Sequence, residues 1–160
     1  MSEKVLTIHY QEFSAPTEMS AEDQELIAVA LDAKKGSYSP YSHFQVGAAL
    51  RLENGIILKG ANQENIAYPS GLCAERTALF AAGANYPDVA PVTLAVVASD
   101  HGVLCEYPAS PCGSCRQVMA EYQKKHGKDL AIILVGSKSI RKFARVDDVL
   151  PFIFDSLKAE

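Results

Sequence analysis

Three cysteines in two separate motifs place the strongest constraint on how this chain can fold. Cys112 and Cys115 have the C-x-x-C spacing with which a single turn of backbone holds one tetrahedral metal ion. Cys73 lies well upstream, and small or apolar residues at helical spacing follow each motif. Because a helix N-terminus stabilises a thiolate, the sequence predicts two helices that begin at one shared metal site.

The number of thiols favours a zinc ion with a catalytic role over a structural one. Three protein ligands leave the fourth tetrahedral position open for water. Glu75 follows Cys73 by two residues, so its carboxylate would lie near the metal without being a ligand. Cys105 is the alternative fourth ligand and would close the site, but its surroundings do not resemble a ligand-bearing turn. We therefore expect Cys105 to be a core or partly exposed thiol.

Several ordered motifs narrow the interpretation further. They are Y-S-H-F-Q-V-G-A-A-L at residues 41–50, G-A-N-Q-E-N at 60–65, C-A-E-R at 73–76, P-C-G-S-C at 111–115 and L-P-F-I-F at 150–154. This combination resembles the zinc-dependent cytidine deaminases, specifically the short-chain homotetrameric type. The resemblance covers most of the chain, from about residue 39 to residue 154.

The resemblance implies roles for individual residues. The three cysteines would bind one Zn²⁺ per chain, and Glu75 would be the catalytic acid and base. An amide and a carboxylate suit a vicinal diol, and Asn62 and Glu64 would hold the ribose hydroxyls. Phe44 would flank the base, and Phe154 would cover it. The residues that the resemblance places around the nucleoside are Phe44, Asn62, Glu64, Ala74 and Phe154.

Arg76 completes the C-A-E-R motif beside Glu75. Three thiolates on one Zn²⁺ leave the site with a net charge of about −1, which would weaken the metal's effect on bound water. An arginine next to the sulfur atoms offsets this charge. We therefore expect Arg76 to support the metal ligands without binding the metal itself.

The implied activity is hydrolytic deamination of cytidine, and of deoxycytidine, as a step of pyrimidine salvage. Zinc-activated hydroxide would attack the ring, and Glu75 would shuttle protons to the ring and to the departing ammonia. One alternative is a deaminase of cytosine-bearing aminonucleosides of the blasticidin type. Others are a non-catalytic zinc-binding module, disfavoured by the intact Glu75, and a polynucleotide editor. A Pro-Ser-Gly turn at residues 69–71 leaves the preference between cytidine and deoxycytidine open.

Charge and composition bear on partners and location. The net charge of −4 argues against a nucleic-acid polymer as the partner, because binding to phosphates requires a positively charged surface. Neither a signal peptide nor a membrane-spanning segment is visible, so we expect a cytoplasmic protein whose four cysteines are thiols and ligands. The four histidines show no ligand spacing in the sequence; they are His9, His43, His101 and His126.

The order of elements predicts a single α/β domain over residues 1–160, with an N-terminal arm at residues 1–19. Three helices and five strands would form a three-layer α/β/α sandwich around a mixed sheet, as the resemblance also implies. Asn54 and Gly55 predict a hairpin between the first two strands. The five predicted strands span residues 44–52, 56–59, 92–98, 130–135 and 140–145. Of the three predicted helices, the first would begin at a Ser20 cap, and the second and third would end near Gly83 and Gly127.

The C-terminal region is apolar over residues 149–157, where a monomer would usually carry a polar tail. Its residues could pack over their own sheet. The resemblance instead implies a homotetramer with sites at subunit contacts, in which Phe154 covers a nucleoside bound to a neighbouring subunit.

Overall fold

The computed structural model describes residues 1–155, in which three helices pack on the two faces of one sheet. The helices are α1 (Ala21–Ala33), α2 (Ala74–Asn85) and α3 (Gly113–His126). The strands are β1 (Gln11–Phe13), β2 (Phe44–Leu52), β3 (Ile57–Ala61), β4 (Pro91–Asp100), β5 (Val103–Leu104), β6 (Ala131–Val135) and β7 (Ile140–Phe143). No helix in this described part has the length and apolar character needed to cross a bilayer. The end of the apolar segment predicted at residues 149–157 lies outside the described residues.

The sheet is mixed and its strands follow the order β1-β7-β6-β4-β2-β3, with β5 paired to β4. The pair β4–β6 is parallel and the other pairs are antiparallel. Helix α1 covers one face, while α2 and α3 cover the other, where they share a cluster of buried apolar residues with the sheet. The predicted three-layer α/β/α fold is confirmed.

The prediction of five strands is wrong, because β1 and β5 bring the number to seven. Strand β1 lies within the N-terminal arm and pairs with β7 at the edge of the sheet. Its position is fixed by distant partners: the Tyr10 ring lies 5.4 Å from the Phe143 ring, and Glu12 forms an ion pair with Arg141. Strand β5 is a two-residue return onto β4. Neither has enough local pattern to be recognised in the sequence.

Local signals fix most helix ends. Ser20 caps α1 by accepting a hydrogen bond from the Asp23 amide at 3.2 Å, and Gly127 ends α3 in the left-handed conformation. Helix α2, however, continues beyond Gly83, where the sequence predicts its end. A Cβ atom at this position would lie 2.2 Å from the Tyr122 hydroxyl of α3. Gly83 therefore serves the close packing of two helices rather than helix termination.

A second close approach positions the site. A Cβ atom on Gly60 of β3 would lie 2.2 Å from the Ala74 carbonyl oxygen and 2.8 Å from the Ala78 amide nitrogen. Strand β3 therefore contacts the first turns of α2 directly. This contact holds the N-terminus of α2 beside the chain segment that leaves β3.

Candidate active site

The three predicted metal ligands come together at two helix N-termini. Cys73 is the N-cap residue of α2, Cys112 is the N-cap residue of α3, and Cys115 lies in the first turn of α3. The Cys73 Sγ atom lies 4.0 Å from that of Cys112, which lies 3.5 Å from that of Cys115. Among residues 1–155, these three thiols are the one group of three or more His, Cys, Asp or Glu side chains close enough together to hold a metal ion.

The spacing of the thiols fits a zinc ion. Zn–S bonds of about 2.3 Å in a tetrahedron place two sulfur atoms about 3.8 Å apart. The two sulfur separations above lie on either side of this value. Cys105, the alternative ligand, is half-buried and is not part of the cluster. Its amide donates to the Ala98 carbonyl and its carbonyl accepts from the Ser137 amide, so its backbone joins two neighbouring segments.

The surroundings of Cys73 favour a negative charge on its sulfur. The neighbouring Cys115 thiol and the Arg76 guanidinium lower the pKa of Cys73 to about 5, against the opposing effect of burial. Arg76 Nη2 donates to the Cys73 sulfur at 3.7 Å, and this contact raises the pKa of the arginine. Cys115, which donates a proton towards Cys73, has a raised pKa. Arg76 thus lies next to a metal-binding sulfur, where a positive charge stabilises thiolate.

Glu75 is buried in the first turn of α2, with only 4% of its surface exposed. Burial raises the pKa of its carboxyl group, and the adjacent Cys73 thiolate raises it further. A carboxyl group in such surroundings holds a proton more readily than a solvated one, which suits a group that must both accept and release protons.

A cavity of about 470 Å³ opens beside the cluster. Four of the predicted site residues line it: Asn62, Glu64, Cys73 and Arg76. The remaining lining residues are Tyr41, Ser42, Gln63, Asn65, Tyr68, Gly71 and Leu72. The cavity therefore connects Cys73, the one thiol in its lining, with the segment that follows β3.

Glu64 is held by a turn that the sequence did not single out. Its carboxylate accepts hydrogen bonds from the amides of Tyr41 and Ser42, at 3.0 and 3.3 Å, and from the Ser42 hydroxyl. The Ser42 hydroxyl is the main cause of the lowered pKa of Glu64, which is therefore a fixed anion. The only sequence signal for this contact was the position of Ser42 within the motif at residues 41–50.

Asn62 is also fixed by its neighbours. Its Oδ1 atom accepts from the Ser37 hydroxyl at 2.5 Å and from the Val46 amide at 2.8 Å. Its Nδ2 atom donates to the Phe44 carbonyl at 2.8 Å. Both lone pairs of the oxygen are therefore used, and one N–H remains available. Asn62 can offer a ligand a donor but not an acceptor.

The other predicted contacts lie outside the cavity lining in this chain. Ala74 is fully buried as the first residue of α2, and Phe44 is half-buried at the start of β2. The Phe154 side chain is 68% exposed and borders a separate cleft beside α3. Its carbonyl accepts a hydrogen bond from Gln117 Nε2 at 2.7 Å. Phe154 therefore lies outside the cavity that Cys73 and Glu64 line in the same chain.

Comparisons with known proteins agree with this geometry. Residues 20–127 match the family described as the cytidine and deoxycytidylate deaminase zinc-binding region. The chain is 52% identical over 99 residues to a cytidine deaminase of Halalkalibacterium halodurans, covering 61% of this chain and 70% of the relative. A cytidine deaminase of Sporosarcina psychrophila is 48% identical over 99 residues, covering 62% and 68%.

Solved structures support the same assignment. The crystal structure of cytidine deaminase from Burkholderia pseudomallei superposes with a TM-score of 0.69 at 39% identity, covering 85% of this chain and all of that one. The cytidine deaminase from Mycobacterium tuberculosis gives a TM-score of 0.64 at 33% identity, covering 82% and 96%. With its zinc-binding thiol cluster, the chain belongs to the cytidine and deoxycytidylate deaminase family.

Proposed function

We propose that the protein is a zinc-dependent cytidine deaminase, which converts cytidine and water to uridine and ammonia. The observation that carries this proposal is the buried carboxyl group of Glu75 beside three clustered thiols, in a chain of this family. Deoxycytidine belongs to the same proposal, since Asn62 and Glu64 can be satisfied by one hydroxyl that accepts from the first and donates to the second.

Each residue of the site has a part in the proposed reaction. The three thiols would hold Zn²⁺, which would supply a Lewis acid to activate water for attack on the ring carbon bearing the amino group. Glu75 accepts a proton from the attacking water and delivers it to the adjacent ring nitrogen. It then takes the remaining proton of the added hydroxyl and passes it to the amino group, which leaves as ammonia as the carbonyl forms. Arg76 offsets part of the negative charge of the thiolates, which would otherwise weaken the effect of the metal on bound water.

A panel of substrates tests the activity. Zinc-loaded protein is incubated with cytidine, deoxycytidine, cytosine and blasticidin S, and ammonia release is measured. We expect turnover of both nucleosides and little of the free base. Ammonia release from blasticidin S alone would assign the chain to the aminonucleoside deaminases. If no compound released ammonia, the protein would instead be a non-catalytic zinc-binding module.

We expect Glu64→Ala to weaken the selection of nucleoside over free base. The change removes a fixed anion from the cavity and leaves the Tyr41 and Ser42 amides without their acceptor. The apparent affinity for cytidine should fall by about 10-fold to 200-fold, while the value for cytosine changes little. Steady-state kinetics with both compounds measure the difference. Glu106→Ala removes another carboxylate that has an ion-pair partner and serves as the control. An unchanged KM for cytidine would exclude Glu64 from substrate binding.

The proposal also includes a homotetramer in which Phe154 covers the base bound to a neighbouring subunit. Large exposed apolar side chains support an assembly, because monomers seldom leave many of them in water. Those close to the cavity or the C-terminus include Ile66, Tyr68, Phe152 and Phe154. A cytoplasmic role in pyrimidine salvage is part of the same proposal, and four free thiols suit a reducing compartment.

We expect Phe154→Ala to raise the KM for cytidine, with smaller effects on kcat and on thermal stability. Stacking of an aromatic ring on a base contributes about 1–3 kcal/mol, which corresponds to roughly a 5-fold to 150-fold change in KM. Phe152→Ala is the matched control, since that ring is also exposed and lies nearby. Kinetics and light scattering are measured on the same samples. A fully active monomer would rule out the shared site.

A further inference from the structure

Two histidines that are far apart in the sequence form a pair at one end of the sheet. His43 immediately precedes β2 and His101 immediately follows β4, and these two strands are antiparallel neighbours. The His101 amide donates a hydrogen bond to the His43 carbonyl at 3.0 Å. The two ring centroids lie 5.1 Å apart. The strand ends thus bring two imidazoles together outside the thiol cluster.

Both histidines have an uncommon backbone conformation. Their φ angles are 55° and 48°, and they are the only non-glycine residues of the described chain with positive φ. Few side chains adopt this region, and residues held there concentrate at functional sites. Here the conformation turns both strand ends so that the two rings border the same cleft.

The arrangement of the two rings is compatible with a shared metal ion. Metal–nitrogen bonds of about 2.0–2.1 Å at a tetrahedral angle place two imidazole centroids about 5 Å apart. The Nδ1 atom of His101 lies 2.7 Å from the Asp100 carboxylate. A carboxylate on one ring nitrogen fixes the tautomer and leaves Nε2 free to bind a metal, as in many histidine metal sites.

The cleft supplies room and polar neighbours for such an ion. Its volume is about 370 Å³, and it is lined by Ser37, Ser39, His43, Gln45, His101 and Gly102. Hydroxyl and amide groups can hold the water molecules that complete a coordination shell with only two protein ligands. The cleft contains no thiol, so its ligand set differs from the three-cysteine cluster.

We propose that His43 and His101 form a second, exchangeable site for a divalent transition-metal ion that prefers imidazole, with Asp100 orienting His101. Water completes the coordination. The ligands of this site are separate from the proposed zinc ligands and from Glu75.

The test is a calorimetric titration of zinc-loaded protein with NiCl₂, with zinc retention checked by elemental analysis. We expect one saturable Ni²⁺ site per chain. His43→Asn or His101→Asn should weaken binding by at least about 10-fold, and Asp100→Asn by about 10-fold to 100-fold. Asparagine is chosen because it tolerates positive φ. His9→Asn and His126→Asn are the controls and should leave binding unchanged.

A second measurement needs no substitution. Paramagnetic Ni²⁺ should broaden the imidazole resonances of His43 and His101 before those of His9 and His126. The absence of saturable binding would overturn the proposal, and so would equal broadening of all four histidines. Neither result bears on cytidine turnover, so the deaminase proposal would stand or fall separately.

Discussion

Glu75→Gln is expected to lower the kcat for cytidine by at least about 10²-fold to 10⁴-fold while zinc and nucleoside binding persist. Glutamine has nearly the size of glutamate and fits the same buried position in the first turn of α2. It cannot, however, accept a proton from water and release it to the ring. Ammonia release gives kcat, elemental analysis gives the zinc content, and calorimetry gives nucleoside affinity.

The control for this change is Glu22→Gln, which alters a carboxylate in the first turn of α1, outside the cavity. It should leave all three measurements close to those of the wild type. Turnover near the wild-type rate in zinc-loaded Glu75→Gln protein would exclude Glu75 as the proton carrier.

Serine at Cys73, Cys112 or Cys115 is expected to remove both zinc and activity. A hydroxyl group is a poor replacement for a thiolate ligand, and two remaining thiols do not complete the site. We expect well under one zinc per chain and turnover reduced by at least about 10²-fold, since no activated water remains.

Cys105→Ser is the matched control, because this thiol is half-buried but lies outside the cluster. Its zinc content and turnover should remain near those of the wild type. The three-ligand site would be wrong if Cys105→Ser emptied it or if Cys112→Ser retained full zinc.

The parts of the fold that the sequence predicts well are those set by local chemistry. Asn54 and Gly55 give the expected hairpin between β2 and β3, with Gly55 at a φ of 86°. The N-cap serine of α1 and the C-terminal glycine of α3 act in the same way. The predicted helix end at Gly83 is wrong, because this glycine is needed for close contact with Tyr122, which is distant in the chain. A pattern of neighbouring residues cannot predict a contact of this kind between distant parts of the chain.

The same distinction applies to the candidate site. Cysteine spacing predicts the thiol cluster because the ligands and the helix starts are adjacent in sequence. The turn of Tyr41 and Ser42 around Glu64 depends on tertiary contact, and so does the pairing of His43 with His101. Neither contact can be seen within a single segment of the sequence. Only the register of the sheet brings them together.

The contact between Gly60 and the Ala74 carbonyl fixes more than the packing of α2. Asn62 follows β3 by one residue and Cys73 precedes α2 by one, so the contact fixes the separation between the residue proposed to bind the sugar and a proposed metal ligand. The pocket therefore has a fixed length between these two residues. We therefore expect that a nucleoside lengthened by one atom between base and sugar could contact either residue but not both at once.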